Sequence, residues 1–474
     1  MTPDRETLEL ERMAREELAA PEVEGTPRAI NATGQAPAEH TTDLGNARRL
    51  ARRHGDVLRY CGPWRSWLCW DGQLWRRDAT GEAERRAKQT SASIFGEAER
   101  AAESEARAKL AKWAMQSEAE ARLRAMLALA QSEPGIPVLP ADLDSDPYLL
   151  TCANGTLDLR TGKLLEPDPG HLISRATDVA YEPGAGCPRW QRFLAEVFAG
   201  DEELVAFLHR LVGYTLTGDT REHVLAVLHG TGCNGKTTFV ETTKALLGDL
   251  AVTSAFDSFA RVRGNRGPRN DLARLHRSRM VVASESGEGR RLDEATVKQL
   301  TGGDTIAARF LYGEHFEFQP DFKLWLVTNH RPRVDGADDA IWRRLRLIPF
   351  EVSFEGREER ELPATLIEEL PGILSWAVEG CLDWQRNGLG AAAAVERATR
   401  AYRKDEDVLG AFLADRCALD GEVPVPELRA AYDDYCKTEG ERPLAANMLG
   451  RQLAARGIRR GGKGDSLYRG VSLR

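Results

Sequence analysis

Gly230-Thr231-Gly232-Cys233-Asn234-Gly235-Lys236-Thr237 is the stretch whose reading decides the fold. It fits G-x-x-x-x-G-K-[ST], a loop whose backbone N–H groups close around phosphate oxygens. An apolar run, Val224 to Leu228, precedes it and predicts a buried strand. Thr238 to Leu247 predicts a helix, with Gly248 as its stop. The order strand, Gly-rich turn, helix is what the motif needs, because the helix N-terminus adds a favourable dipole. The alternative, a chance Gly-rich turn, does not explain those flanks. Gly230, Thr231, Gly232, Cys233, Asn234, Gly235, Lys236, Thr237 and Thr238 are thus candidate nucleotide-binding residues. Lys236 would meet the β- and γ-phosphates, and the Thr237 hydroxyl would ligate Mg²⁺.

Two later apolar runs end in polar residues. Met280 to Ala283 ends in Ser284-Glu285, and Leu324 to Val327 ends in Thr328-Asn329. A carboxylate at a strand tip can polarise the attacking water or hold Mg²⁺ through water. Glu285 is the candidate, ahead of Glu288, which lies between Gly287 and Gly289. Asn329 can orient water against a γ-phosphate; its bland reading is a turn before His330-Arg331-Pro332. In Arg343 to Phe350, Arg344 and Arg346 alternate with apolar residues, as in a strand with one polar face. An arginine can stabilise charge on a transferring phosphoryl group, from the same or a neighbouring subunit. Salt bridging to Asp338 or Asp339 is the alternative.

The chain has 474 residues, 42% hydrophobic and 29% charged, enough for more than one domain. A net charge of −8 argues against indiscriminate coating of nucleic acid, so any DNA site must be local. No apolar run is long enough to span a bilayer, and the polar N-terminus lacks a signal-peptide core. The eight cysteines form no C-x-x-C pair. These features predict a soluble, cytoplasmic protein.

Residues 1–44 read as a flexible tail, with one short helix near Glu6 to Leu18. Trp64, Trp67, Trp70 and Trp75 surround a hairpin expected at Asp71-Gly72; they would stack on bases or, more ordinarily, fill a small core. Glu82 to Gln131 predicts one or two long helices, and Tyr148 to Leu165 short strands around turn pairs. The arginine run from Arg261 to Arg279 would line a channel, face a neighbouring subunit or be a solvated loop. Beyond Asp407, helices followed by a basic hairpin suggest a winged helix, placing Ala445 to Arg456 in a groove and Arg459, Arg460 and Lys463 on phosphates. A protein-docking module is the alternative.

Gly230 to Phe350 resembles the superfamily 3 helicases of the phage/plasmid primase–helicase type, which are related to the poxvirus primase–helicase. Gly230 to Thr237 match Walker A, and Val281 to Glu285 an unusual Walker B ending in Ser-Glu. Gln299 to Asp304 with Ala308 to Gly313 match the B′ region, Lys323 to Pro332 motif C, and Ile341 to Phe350 the arginine-finger strand. The likeness extends more weakly from Thr42 to the C-terminus. It implies an α/β P-loop NTPase core, AAA-like, with a mostly helical N-terminal domain and a C-terminal winged-helix-like domain. It also implies a ring, commonly a hexamer, moving on single-stranded or forked DNA and using ATP and Mg²⁺. Asn329 would be the sensor and Arg344 the finger, with Arg343 second. A hairpin from Thr305 to Phe318 would enter the channel, gripping DNA through Arg309, Tyr312 and His315. Many such motors carry two acidic residues at the second strand's end; here Ser284-Glu285 leaves Mg²⁺ mainly to Thr237 and water.

The resulting partition is a tail (1–44), a helicase-associated domain (45–190), the ATPase (191–388), and a linker helix with the winged-helix-like domain (389–474). Residues 1–44 are too short and too polar for a primase, so a primase would be either a separate partner protein or absent, and primer synthesis is not expected. The expected function is an ATP-dependent replicative DNA helicase of a phage, plasmid or integrated element in a bacterial host. The alternative is an origin-binding or helicase-loading ATPase that uses ATP as an assembly switch.

Overall fold

The computed structural model describes residues 39–260, 270–284, 287, 290–309, 315–334, 339–461 and 466–474. Two compact units divide the chain: one holds residues to Cys69 and Arg77–Leu139, the other Trp70–Arg76 and Pro140–Arg474.

In the first unit the Ala- and Glu-rich stretch forms three helices, Glu82–Arg100, Ser104–Ser117 and Glu120–Ala130, packed with Asp43–His54. The breaks fall at Ala101 to Glu103 and at Glu118-Ala119, so three shorter helices replace the one or two expected. Asn46 is fully buried and satisfied, donating to Ser117 Oγ (2.9 Å) and accepting from Trp113 Nε1 (3.0 Å). Leu58–Cys61 pairs antiparallel with Ser66–Trp70 and parallel with Pro137–Val138. Tyr60 and Trp67 are register partners and lie against the helical core, so this tryptophan is a packing residue.

In the second unit Asp71 closes the expected turn by accepting from Gln73 N (2.9 Å) and Leu74 N (2.8 Å). Trp75 is buried, its indole donating to Pro169 O (2.9 Å). Leu149–Cys152, Gly155–Asp158 and Lys163–Leu165 form an antiparallel meander. The core is a five-stranded parallel sheet. Its strands are, in chain order, β1 (Leu225–His229), β2 (Ala251–Ala255), β3 (Met280–Ser284), β4 (Lys323–Thr328) and β5 (Leu345–Pro349). Their spatial order is β5-β1-β4-β3-β2. Alternate residues enter two separate cores: Leu225, Val227, Val281 and Leu324 one, Ala226, Leu228, Val282 and Trp325 the other. Burial on both faces is why these strands read as unbroken apolar runs. The second core also takes the helices Pro188–Val197, Glu202–Leu216 and Leu370–Asn387.

Three structural expectations change. Arg344 ends a short helix, Asp339–Arg344, and β5 starts at Leu345; Ile341 and Trp342 bury their side chains consecutively, which a one-faced strand cannot do. Arg279, read as part of a basic loop, is buried and donates to the carbonyls of Pro147 (2.9 Å) and Asp146 (3.2 Å). The Ala-rich helix, Ala393–Asp405, is no free linker: Tyr402 is fully buried, and Thr399 Oγ1 accepts from Leu347 N (3.0 Å) on β5.

The chain ends in a small module. Helices Val408–Arg416, Val425–Thr438 and Ala446–Ala455 enclose Phe412, Tyr432, Leu449 and Leu453. Glu422–Pro424, Leu467–Arg469 and Arg459–Arg460 form its antiparallel sheet.

Candidate functional site

The strand order determines what converges. Because β4 lies between β1 and β3, the loop after β1 faces the carboxyl ends of both. Ligands of open α/β sheets bind outside those ends. A cleft of about 660 Å³ lies there, lined by Gly232 to Thr238, Ser284, Thr328 and Asn329, with further residues opposite. That volume is within the usual range for small-molecule sites.

The loop's backbone explains its glycines. Gly235 has φ +85°, and a Cβ on Gly230 would lie 2.3 Å from Phe350 O. Helix Lys236–Leu247 starts immediately after, two residues earlier than the sequence predicts. Lys236 is buried; its Nζ donates to Gly230 O (2.6 Å) and Asn234 Oδ1 (3.0 Å), so the ammonium is held across the loop. Burial lowers its pKa below the usual lysine value. Asn234 is also buried and donates to Phe350 O (3.0 Å), while Phe354 N donates to Cys233 O (2.6 Å). The segment after β5 therefore braces the loop. Thr231, Cys233 and Thr237 are exposed.

The exposed side chains of Ser284 and Asn329 reach the same cleft from β3 and β4. Thr328 Oγ1 accepts from His330 N (3.0 Å), which ends β4 in a tight turn and leaves Asn329 at its tip. Glu285 lies outside the described residues, as do Glu288, Tyr312 and Lys463. Arg344 does not line this cleft: it donates to Thr301 Oγ1 (3.1 Å) and Ala340 O (2.8 Å) of its own chain. Arg343 is exposed.

Sequence reasoning missed the opposite wall. Arg189, Phe193 and Glu196 come from helix Pro188–Val197; Phe354, Arg357, Glu359 and Leu362 come from the segment after β5. Arg189 pairs with Glu359 (2.9 Å) and Glu196 (3.3 Å), and the hydrogen bond from Arg189 holds the Glu359 carboxyl below its ordinary pKa. Arg357 lies over the Phe354 ring and donates to Ser353 O (2.6 Å). The Pro188 helix start was the available signal, but nothing local says that this helix faces the loop.

The candidate nucleic-acid residues are dispersed. Ile306–Arg309 and His315–Phe318 form an antiparallel ladder with Arg309 opposite His315. Arg459 and Arg460 are exposed on the C-terminal module. No helix among the described residues is long and apolar enough to cross a membrane.

Residues 47–199 match the D5 N terminal like family, and residues 228–344 match a family of unknown function, DUF5906. Among curated relatives, "Putative helicase L207/L206" of Acanthamoeba polyphaga mimivirus is 30% identical over 297 residues, 58% of this chain and 31% of that protein. "Putative helicase 022R" of Frog virus 3 is 26% identical over 59% of this chain and 37% of its own length. "Putative primase C962R" of African swine fever virus (isolate Tick/Malawi/Lil 20-1/1983) is 26% identical over 62% and 34%. The chain thus spans about a third of the length of the curated relatives it matches. The apo C-terminal region of NrS-1 shares the fold, with TM-score 0.52 at 10% identity, over 91% of this chain and all of that one. The D5-like match lies before the sheet, and helicase- and primase-named viral proteins align with 58–62% of the chain; by sequence the chain is similar to these viral helicase- and primase-named proteins, and by fold to the NrS-1 region.

Proposed function

We propose that this chain is an ATP-dependent DNA helicase acting in replication of a virus, phage, plasmid or integrated element. The observation that carries the reading is Lys236: a buried cation held across a Gly-rich loop, opening on a cleft into which two more strand ends project Ser284 and Asn329. On this reading the sheet is a P-loop NTPase core of AAA-like type. Loop amides and Lys236 bind the ATP phosphates, Asn329 orients the attacking water, and Glu285 polarises it. Thr237, exposed and lining the cleft, and Glu285, which follows Ser284 in the sequence, are the residues that would hold Mg²⁺. Bound Mg²⁺ would neutralise charge on the β- and γ-oxygens.

Arg344 then acts in trans. It is tied to its own helix end and lies away from its own cleft, so a neighbouring protomer of a ring, a hexamer on this reading, receives it. The hairpin carrying Arg309, Tyr312 and His315 contacts single-stranded DNA in the channel. The C-terminal module is a winged helix whose Arg459, Arg460 and Lys463 touch phosphates. Functionally, 45–190 is the helicase-associated domain, 191–388 the motor and 389–474 the linker and winged helix. The chain acts in the cytoplasm of the host.

Strand displacement on a forked duplex with Mg²⁺ and ATP tests the reading. ATP-dependent separation of the strands is expected. ATP-dependent DNA binding without separation would instead assign the chain to origin binding or helicase loading.

A further inference from the structure

The turn after Asn329 is gripped from two sides. On one side, Arg333 N donates to Arg290 O (2.7 Å) and Leu292 N donates to Arg333 O (3.0 Å), so the turn is laced to the chain downstream of Ser284. On the other, four consecutive residues meet the C-terminal part of the chain. Arg331 pairs with Asp405 (2.9 Å), Pro332 O accepts from the buried Tyr402 hydroxyl, the Arg333 guanidinium pairs with Glu441, and Val334 N donates to Glu406 (3.0 Å). Glu441 is itself fixed, its backbone N–H donating to Cys436 O (2.7 Å) at the end of helix Val425–Thr438. Arg333 is thus the one described residue in this turn that joins, by its backbone, the segment beyond β3 and, by its side chain, the terminal module. Asn329, four residues earlier, lines the cleft.

We propose that Arg333 and Glu441 are positioning residues of the nucleotide site: the ion pair fastens the turn carrying Asn329 to the C-terminal module, so that turnover depends on where that module sits. The inference rests on the helicase reading above. The Arg333 side chain is 42% and that of Glu441 15% exposed, a pair still within reach of water that stabilises a fold only modestly, so melting temperature is read beside turnover to separate placement of the turn from lost stability. Coupling through such a chain is shown only by measured non-additivity.

The experiment uses the full chain with Mg·ATP and oligo(dT), and the variants Arg333→Met, Glu441→Gln, the double variant, Arg333→Lys and Lys236→Ala. We expect each single charge removal to lower oligo(dT)-stimulated kcat about fivefold, with the Kd for a fluorescent ADP analogue and the melting temperature unchanged. The double variant should be no worse than either single one, and Arg333→Lys should stay near the parent. Unchanged kcat in both single variants, with Lys236→Ala inactive, overturns the positioning role and leaves the helicase reading intact. Parallel loss of nucleotide affinity, kcat and melting temperature, or additive losses in the double variant, also overturns it by leaving only a structural role. Full activity in Lys236→Ala removes the nucleotide-site reading, and this inference with it.

Discussion

The two ends of the central sheet both carry buried cations, and among the described residues the large cleft lies at the carboxyl end. At the carboxyl end Lys236 donates to a loop carbonyl and an amide oxygen beside a cleft of about 660 Å³. At the amino end Lys323 is buried, donating to the carbonyls of Thr217 and Asp219 (3.1 Å to the latter) and lying 4.6 Å from the Tyr214 ring centroid. Arg279 beside it is satisfied by two further carbonyls, and Arg277 pairs with Asp321 (3.2 Å). Arg277, Arg279 and Asp321 line a space of about 10 Å³, the size of one water. Burial lowers the pKa of both lysines. The two lysines are alike in burial and hydrogen bonding; they differ in that Lys236 lines the large cleft.

Paired substitutions test that distinction. Lys236→Ala should abolish ATP hydrolysis while leaving the melting temperature nearly unchanged. Lys323→Met should do the reverse, costing roughly 2–4 kcal/mol because it strips a donor from buried carbonyls. Activity per folded molecule should survive, as read by denaturant unfolding and nucleotide titration. If Lys323→Met kills turnover in fully folded protein, the two ends are not functionally distinct.

Arg344→Ala should lower turnover about a thousandfold while ATP still binds. Mixing it with Glu285→Gln protein should restore partial activity, because each supplies what the other lacks at a shared seam. Absence of rescue at every ratio would count against hydrolysis between protomers.

Asn234→Ala sharpens the account of the carboxyl end. It removes both the brace to Phe350 and one acceptor of Lys236. A loss of about tenfold in nucleotide affinity is expected, readable with a fluorescent ADP analogue.

The smallest effect concerns pH. His276 packs edge-on to Phe316 and Phe318 at the base of the hairpin, and burial lowers its pKa to about 4. The unfolded chain binds this proton near pH 6.5, the folded chain only near 4, so the unfolded state holds more protons between them. Stability contributed by neutral His276 is therefore present above pH 6.5 and lost as pH falls toward 4. His276→Phe should flatten that part of the stability profile in chemical denaturation; an unchanged profile would exclude His276 as its source.

Local chemistry made much of this legible. The strand, Gly-rich loop and helix around Lys236 were readable because each depends on residues within one short window. Doubly buried strands announce themselves as apolar runs, so β1, β3 and β4 were placed to within a residue or two. Arg344 was misread because alternation over four residues fits a helix end as well as a strand start. The wall formed by Arg189, Phe354 and Arg357 escaped because its two segments lie far apart in the chain.

By itself the sequence determined the phosphate-loop motif, the buried strands and the polar residues at their tips, since periodicity and turn chemistry act between near neighbours. Only the tertiary structure decided the order β5-β1-β4-β3-β2, the facing of Pro188–Val197 toward the loop and the burial of Lys323 and Arg279. Those depend on which distant surfaces exclude water together, and no local pattern encodes that pairing.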